Sequence, residues 1–519
     1  MLLRDLARTS REVAAEPSRT AKVALLADCL RALDPEEVPA AVALLSGESQ
    51  RLRIGVGPAA LRSLPEPAAD PAPETALGVA ETERLLVRLA AVHGRGARAE
   101  RQRLLDDLFG RATEGEQTFL RAVLAGELRQ GALDAVMADA VARAADVPGA
   151  AVRRALMFRG SARAVARAAL DGGVPALAAF RLEVGRPVRP MLAASAPDVS
   201  TALARTGPAA LEWKLDGIRI QVHRDGDEVA VFTRSLDDVT GRLPEVVEAV
   251  RSLPVRTAVL DGEAIALAPD GRPRPFQVTA ARAASRQDPA RLRAEVPLHA
   301  FFFDLLHLDG EDLVDLPARR RRSGLLEAVP AELRVPAAEP ADPADAEAFF
   351  RGVLARGHEG VLVKDLEAPY AAGRRGAGWI KVKPHHTLDL VVLAAEWGSG
   401  RRRGFLSNLH LGARAADEPG LGPWVMLGKT FKGLTDEMLA WQTARLLARE
   451  VDRDAHTVRV RPELVVETAF DGLQRSSRYP AGLALRFARV VRYRTDKPAA
   501  EADTLAAVRS LAGAAGLDG

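Results

Sequence analysis

At 519 residues, against a usual 100–200 per domain, the chain has room for roughly two to four domains, and its 48% hydrophobic and 27% charged residues are those of an ordinary globular protein. No apolar run approaches the roughly 20 residues of a membrane span, and Met1-Leu2-Leu3-Arg4-Asp5-Leu6 reaches charged residues too soon for a signal peptide, so a cytoplasmic protein with no membrane partner is expected. The single cysteine, Cys29, excludes an internal disulfide and a four-cysteine zinc site, while a formal charge of +3 and a pI near 9.1 suit a polyanionic partner only where positive charge clusters.

From Ser18 to about Gly172 apolar residues recur at three- and four-residue steps, predicting an all-helical domain. Thr113-Glu114-Gly115-Glu116 reads as a capping box opening a helix through Phe119, Leu120, Val123 and Leu124, with Gly131 as its stop. The proline-rich run Pro65 to Pro73 fits neither helix nor central strand and is expected to be an exposed loop. We place this domain at 1–175 and a linker at 176–185.

At Arg186-Pro187-Val188-Arg189-Pro190 the texture changes to β-branched runs separated by Asp-Gly turns. Arg219–His223 and Val229–Phe232 flank Asp225-Gly226, and Ala258–Leu267 precedes Pro269-Asp270-Gly271, so both are expected as antiparallel hairpins. Pro336–Pro343 reads as a surface loop before a helix over Ala344–Arg356. A mixed α+β domain over 186–384 follows. Beyond Lys383-Pro384, strand patterns at Leu388–Ala395, Trp424–Leu427, Arg459–Thr468 and Phe487–Tyr493, with a helix over Thr435–Arg449, suit a small β-barrel of the oligonucleotide-binding (OB-fold) kind over 385–519.

Nearly all basic residues are arginine; the lysines are Lys22, Lys214, Lys364, Lys381, Lys383, Lys429, Lys432 and Lys497. Arginine serves wherever only positive charge is needed, so the lysines mark positions where an amine that can lose its proton matters. Glu212-Trp213-Lys214-Leu215-Asp216-Gly217-Ile218-Arg219 is the first such place, although lysine before Asp-Gly also describes an ordinary hairpin end. Downstream lie Thr233-Arg234-Ser235, Leu260-Asp261-Gly262-Glu263, Phe301-Phe302-Phe303-Asp304, Glu359-Gly360-Val361-Leu362-Val363-Lys364 and Trp379-Ile380-Lys381-Val382-Lys383. Alternation puts Lys381 and Lys383 on one strand face, where like-charge repulsion is expected to lower the pKa of Lys214 and make it nucleophilic.

In that order these segments resemble the nucleotidyltransferase motifs of ATP-dependent DNA ligases, RNA ligases and mRNA capping enzymes. Leu485-Arg486-Phe487-Ala488-Arg489 through Arg494-Thr495-Asp496-Lys497 resembles the last motif of the ligase branch, with Ala488 where the family more often has proline. The resemblance implies that Lys214 carries AMP from ATP, that Phe303 stacks on adenine, and that Glu212, Arg219, Arg234 and Arg375 contact adenine, ribose or phosphates, Arg374 being exchangeable with Arg375. Lys381 and Lys383 would neutralise charge on the α-phosphate. Glu263 and Glu359 supply hard oxygen ligands suited to Mg²⁺, and Glu263 is also implied as a ribose contact. Arg486, Arg494 and Lys497 would orient the pyrophosphate leaving group or hold DNA phosphates. Lys429 and Arg401-Arg402-Arg403 are further phosphate candidates, or a solvated basic loop.

Phe119-Leu120-Arg121 through Arg129-Gln130-Gly131 resembles part of the DNA-binding domain of archaeal and eukaryotic replicative ligases, a domain that recurs in some bacterial ligases. That favours nicked double-stranded DNA over RNA as substrate, with an RNA ligase as the alternative. NAD-dependent ligases carry a zinc finger that one cysteine cannot build, so ATP is the expected donor. Three domains in one chain suffice to encircle a duplex, so a monomer is expected.

Overall fold

The computed structural model describes residues 1–46, 70–74, 77–125, 128, 134–372, 375–384, 386–416 and 418–514. The N-terminal part is helical, as its periodicity requires, and its helices Leu3–Ala15, Arg19–Arg31, Val38–Ser46, Val79–Ala91, Ala97–Gly110, Glu114–Ala125, Asp134–Ala144, Gly149–Arg159 and Ala162–Ala178 share one core. Helix begins well before Ser18: Leu3, Leu6, Ala7, Ser10 and Val13 fall on one buried stripe. The capping box is formed. The Glu116 carboxylate accepts hydrogen bonds from the backbone N–H and the hydroxyl of Thr113, each at 2.8 Å. The expected stop at Gly131, most of the Phe119–Gly131 segment beyond Ala125, and Pro65–Ala69 of the proline-rich run lie outside the described residues; Asp70–Glu74 takes neither helix nor strand.

The stretch expected as a linker, 176–185, is packed. Leu177 is buried in the helical core, and Leu182 joins Met157, Phe158, Val188, Met191 and Tyr370 in a second core that ties helices to sheet. Arg189 reinforces the junction: its guanidinium donates to Asp134 and to the carbonyl of Gly160, both at 2.8 Å, and its N–H donates to the carbonyl of Met157 at 2.9 Å.

The central part contains β1 (Leu192–Ala196), β2 (Ala209–Lys214), β3 (Ile218–Asp225), β4 (Glu228–Thr233), β5 (Thr257–Ala266), β6 (Leu298–Leu308), β7 (Glu311–Asp312), β8 (Ala337–Ala338), β9 (Gly360–Asp365) and β10 (Arg375–Val382). They make two five-stranded sheets, in the orders β1-β10-β9-β2-β8 and β4-β3-β5-β6-β7. The hairpin about Asp225-Gly226 is present as β3–β4. The one expected after Ala258–Leu267 is short: the chain turns at Pro269-Asp270-Gly271, closes an antiparallel bridge from Leu267 to Pro273 and enters the helix Phe276–Ala284, while the length of β5 pairs with β3 and β6. Within the expected 336–343 loop, Ala337–Ala338 forms the edge strand β8 against β2, as two small residues allow.

The C-terminal part contains β11 (His386–Trp397), β12 (Leu406–Arg414), β13 (Trp424–Thr430), β14 (Glu450–Arg453), β15 (Thr457–Val460), β16 (Val465–Phe470), β17 (Gly472–Arg475), β18 (Leu483–Arg486) and β19 (Arg489–Tyr493). The run expected as one strand over Arg459–Thr468 is broken into β15 and β16 around Pro462, which has no N–H to give a ladder. β12 is not among the expected strands, although its Leu409, Leu411 and Ala413 alternate into the core. Seven of these strands form one sheet, with the first half of β11 pairing β16 and its last part β15; β17 and β18 form a separate hairpin.

Gly360 holds β9 and β10 in register beside the charged residues described next. Its φ is +144°, and a Cβ built there would stand 2.2 Å from the carbonyl oxygen of Val382. Gly360→Ala is therefore expected to cost about 1–3 kcal/mol and to lower the melting temperature in calorimetry; an unchanged melting temperature would show that the strands do not approach so closely.

Candidate active site

Lys214 ends β2 opposite Gly360 of β9, and its carbonyl accepts the N–H of Glu359 at 3.1 Å. This backbone pairing delivers the Glu359 carboxylate to within 2.5 Å of the Lys214 amine, while its other oxygen pairs with Lys383. Burial opposes the charge on Lys214, but Glu359, Glu263 and Asp216 outweigh it and raise its pKa above the ordinary lysine value. The expectation that Lys381 and Lys383 would lower that pKa is thus reversed, because Glu359 lies between Lys214 and Lys383 and, with Glu263 and Asp216, sets the balance at the amine. Glu359 itself is pulled below the usual carboxylate range by its two lysines, which overcome its burial. Lys381 lies in β10 and Lys383 just past its end, both half-buried. Lys381 carries no ion pair among the described residues, and burial, Lys383 and Lys214 depress its pKa.

Glu263 sits in β5 across from Arg219 of β3. Burial drives its pKa up to about 7 against the pull of Lys214 and Arg219, and no hydrogen bond or ion pair engages its carboxylate among the described residues. Glu212, two residues before Lys214 on the same strand face, is buried under the Lys364 amine at 2.7 Å, with Arg322 at 3.8 Å. The same amine donates to the carbonyl of Phe303 at 2.7 Å and lies 4.6 and 4.5 Å from the ring centres of Phe303 and Trp379. Phe303 lies in mid-strand and meets Trp379 edge-on at 5.7 Å. Lys364 received no role from the sequence; the rarity of lysine was the signal available.

Arg219 is committed to the protein. It grips Asp261 through two hydrogen bonds of 2.9 and 2.6 Å, donates to the carbonyl of Met191 at 2.6 Å and reaches the hydroxyl of Tyr370 at 3.3 Å. Tyr370 in turn donates to Asp261 at 2.7 Å. Neither Asp261 nor Tyr370 was singled out beforehand. Arg234 is exposed on the turn after β4, where Leu236 takes a φ of 69°. Arg375 begins β10, its side chain lying outside the described residues with Arg374.

The C-terminal residues divide. Arg486 crosses to the central sheets and pairs with Asp216 at 2.6 Å, and Asp471 reaches Lys383 at 3.4 Å. Arg494 and Lys497 do not join the cluster; each is held 2.8 Å from Asp389 on the C-terminal sheet. Lys429 pairs with Glu396, Arg402 donates to the carbonyl of Phe431 at 2.5 Å, Arg403 is exposed, and the Arg401 side chain lies outside the described residues.

The sequence pattern of the "ATP dependent DNA ligase domain" matches residues 190–383, and that of the "ATP dependent DNA ligase C terminal region" matches 402–497. The chain is 58% identical to a "Probable DNA ligase" of Mycolicibacterium gilvum over 98% of its own length and 99% of the relative's. The chain belongs to the ATP-dependent DNA ligase family. A second relative of the same description, from an Anaeromyxobacter species, is 59% identical over 98% of both chains. The solved structure titled "Pmar-Lig_Pre" shares the fold, with a TM-score of 0.60 at 17% identity over 94% of this chain and 99% of that one. The family's two patterns span the Lys214–Glu359–Lys383 cluster and the strands that carry Arg486.

The pKa of Glu263 yields a sign for stability. A carboxylate raised to about 7 binds a proton in the folded state that the unfolded chain has already released above its ordinary value of 4.5, so its ionisation destabilises the fold as pH rises from 4.5 through 7. Glu263→Gln should therefore melt higher than the wild type at pH 8 and no higher at pH 5 in calorimetry without nucleotide or metal. A difference independent of pH would assign Glu263 an ordinary pKa.

Proposed function

We propose that the chain seals nicks in double-stranded DNA with ATP, through AMP carried on Lys214. The observation that supports this most directly is the Lys214 amine, held 2.5 Å from Glu359 with an unpaired Lys381 close enough to perturb it. In the first step the amine loses its proton, for which Glu359 is the nearest acceptor, and Nζ bonds to the α-phosphorus as the bond to the bridging oxygen breaks and pyrophosphate leaves. Lys381 and Lys383 offset the charge that gathers on the phosphorus oxygens. The AMP then passes to the 5′-phosphate of the nick, and the 3′-hydroxyl displaces it to form the phosphodiester bond.

Phe303 is the platform for adenine and Glu212 its polar neighbour, each set by Lys364. Arg219 places Phe303 and Trp379 from 5.5 and 5.4 Å while it holds Asp261. Arg234 and Arg375 are assigned to the nucleotide or nick phosphates. Glu263 and Glu359 fit Mg²⁺: the carboxylate of Glu263 is unpaired among the described residues, and Mg²⁺ binds through one or two carboxylates together with substrate phosphates. The metal would supply neutralisation of phosphate charge. Arg486 is at hand for the leaving group, whereas Arg494 and Lys497 would have to leave Asp389 to assist.

A helical domain, a catalytic pair of sheets and an OB-fold in one chain suit a monomer that encloses duplex DNA and binds its phosphates without reading sequence. DNA is favoured over RNA because the DNA ligase relatives match along the helical region as well. A protein acting on chromosomal DNA belongs in the cytoplasm at the nucleoid.

Incubation with Mg²⁺ and ATP labelled at the α-phosphate should give an acid-stable labelled band for the wild type and none for Lys214→Ala; label on the variant would displace Lys214 as nucleophile. Nicked duplex DNA should be joined, with the rate falling as salt rises, while joining of nicked RNA alone would move the chain to the RNA ligase branch.

A further inference from the structure

Lys364 joins the two central sheets with its amine. Leu362 of β9 pairs with Glu212 of β2, so Lys364, two residues on, shares the face of Glu212 and meets it diagonally across the ladder. Its amine lies 2.7 Å from Glu212 and donates to the carbonyl of Phe303, on β6 of the other sheet, also at 2.7 Å. The centre of the Phe303 ring is 4.6 Å from the same amine, which thus fixes a carboxylate beside the ring. Both charged side chains are 5% exposed. Other charge nearby is engaged elsewhere: Arg322 stands 3.8 Å from the second Glu212 oxygen and pairs with Glu339 at 3.2 Å, while Asp304 is held by Arg321 at 2.8 Å. No hydrogen bond reaches that second oxygen among the described residues.

A carboxylate so buried is costly as an anion, and burial pushes the pKa of Glu212 up. Lys364 opposes this more than any other group, ahead of Arg322, with Asp304 acting the other way. The protonation state decides what Glu212 can do. As an anion it only accepts hydrogen bonds; as an acid it also donates one. Adenine and guanine differ at the same point of the ring: the 6-amino group of adenine donates, and the 6-oxygen of guanine accepts. An anionic Glu212 suits the first and repels the second, whereas a protonated one can donate to the second.

Resting on the assignment of Phe303 as the base platform and Glu212 as its polar neighbour, we infer that Lys364 is a positioning residue for base selection: it holds Glu212 as an acceptor-only anion beside the platform, so that ATP is admitted and GTP refused. Lys364 acts through Glu212 and does not have to touch the nucleotide. Its hold on the Phe303 carbonyl is a second, structural effect, whose loss would weaken both nucleotides alike. Selection shows instead in the ratio between them.

The test is labelling of Lys214 by ATP and by GTP, each labelled at the α-phosphate and supplied with Mg²⁺, compared as the ratio of kcat/KM for the two nucleotides across a pH series. The ratio cancels whatever pH does to Lys214 and Glu359. The wild type should prefer ATP throughout. In Lys364→Met the preference should fall by roughly tenfold or more, the worth of one hydrogen bond in a closed site, and should recover as rising pH ionises Glu212. Glu212→Gln, whose amide both accepts and donates, should take GTP at every pH; it carries the test where Lys364→Met does not fold. A Lys364→Met ratio equal to that of the wild type, a loss of preference that does not change with pH, or a Glu212→Gln protein that still refuses GTP would each overturn the inference. A wild type that takes both nucleotides equally would instead defeat the placing of the base on Phe303 beside Glu212, and one that takes neither would defeat Lys214 as the carrier.

Discussion

Everything at the centre of this molecule depends on one carboxylate shared between two amines. Glu359 is placed by the β2–β9 ladder, whose last backbone hydrogen bond runs from its own N–H to the carbonyl of Lys214. With a side chain 13% exposed, it holds the Lys214 ammonium where burial alone would discharge it, and its other oxygen pairs with Lys383. The consequence is a Lys214 amine kept protonated in the nucleotide-free chain. As the nucleophile proposed above, Lys214 would have to give up a proton before attacking phosphorus, and Glu359, which stabilises the proton, is also the group nearest to receive it.

Around that pair the structure arranges groups in layers of decreasing commitment. Arg219, Asp261 and Tyr370 are locked together and to Met191, so they set the wall that carries Phe303 and Trp379. Lys364 is nearly as fixed, between Glu212 and the Phe303 carbonyl. Glu263 and Lys381 have no ionic partner among the described residues, and their depressed ionisation marks them as groups that wait for charge from outside. Asp471 and Arg486 are the outermost layer, borne on a hairpin of a different part of the chain.

Much of this was legible in the sequence. Helical periodicity, the Thr113–Glu116 capping box, the Asp225-Gly226 hairpin and the order of the lysine-bearing motifs each follow from local rules that the fold does not overrule. What the sequence could not supply were properties set by partners distant along the chain. The pKa of Lys214 is expected to fall because two lysines are near; it rises because Glu359, 145 positions on, pairs directly with its amine. Arg219 looks like a free phosphate ligand until Asp261 and Tyr370 are found in its grasp, and Arg494 and Lys497 look equivalent to Arg486 until Asp389 is seen to hold them. The stretch 176–185 passes for a linker because it falls just before the change of texture at Arg186, yet Leu177 and Leu182 anchor it in two cores. The strand β12 and the edge strand β8 were missed because their residues are small or mixed, and only neighbouring strands make them regular.

The central claim concerns the charge on one amine, and the most direct test is to titrate it. Nitrogen-15 NMR of the nucleotide-free protein, observed at the Lys214 side chain, should give a pKa above that of an ordinary lysine, and Glu359→Gln should bring it down as burial is left unopposed. A wild-type pKa below the ordinary value, or one that Glu359→Gln does not lower, would contradict the account.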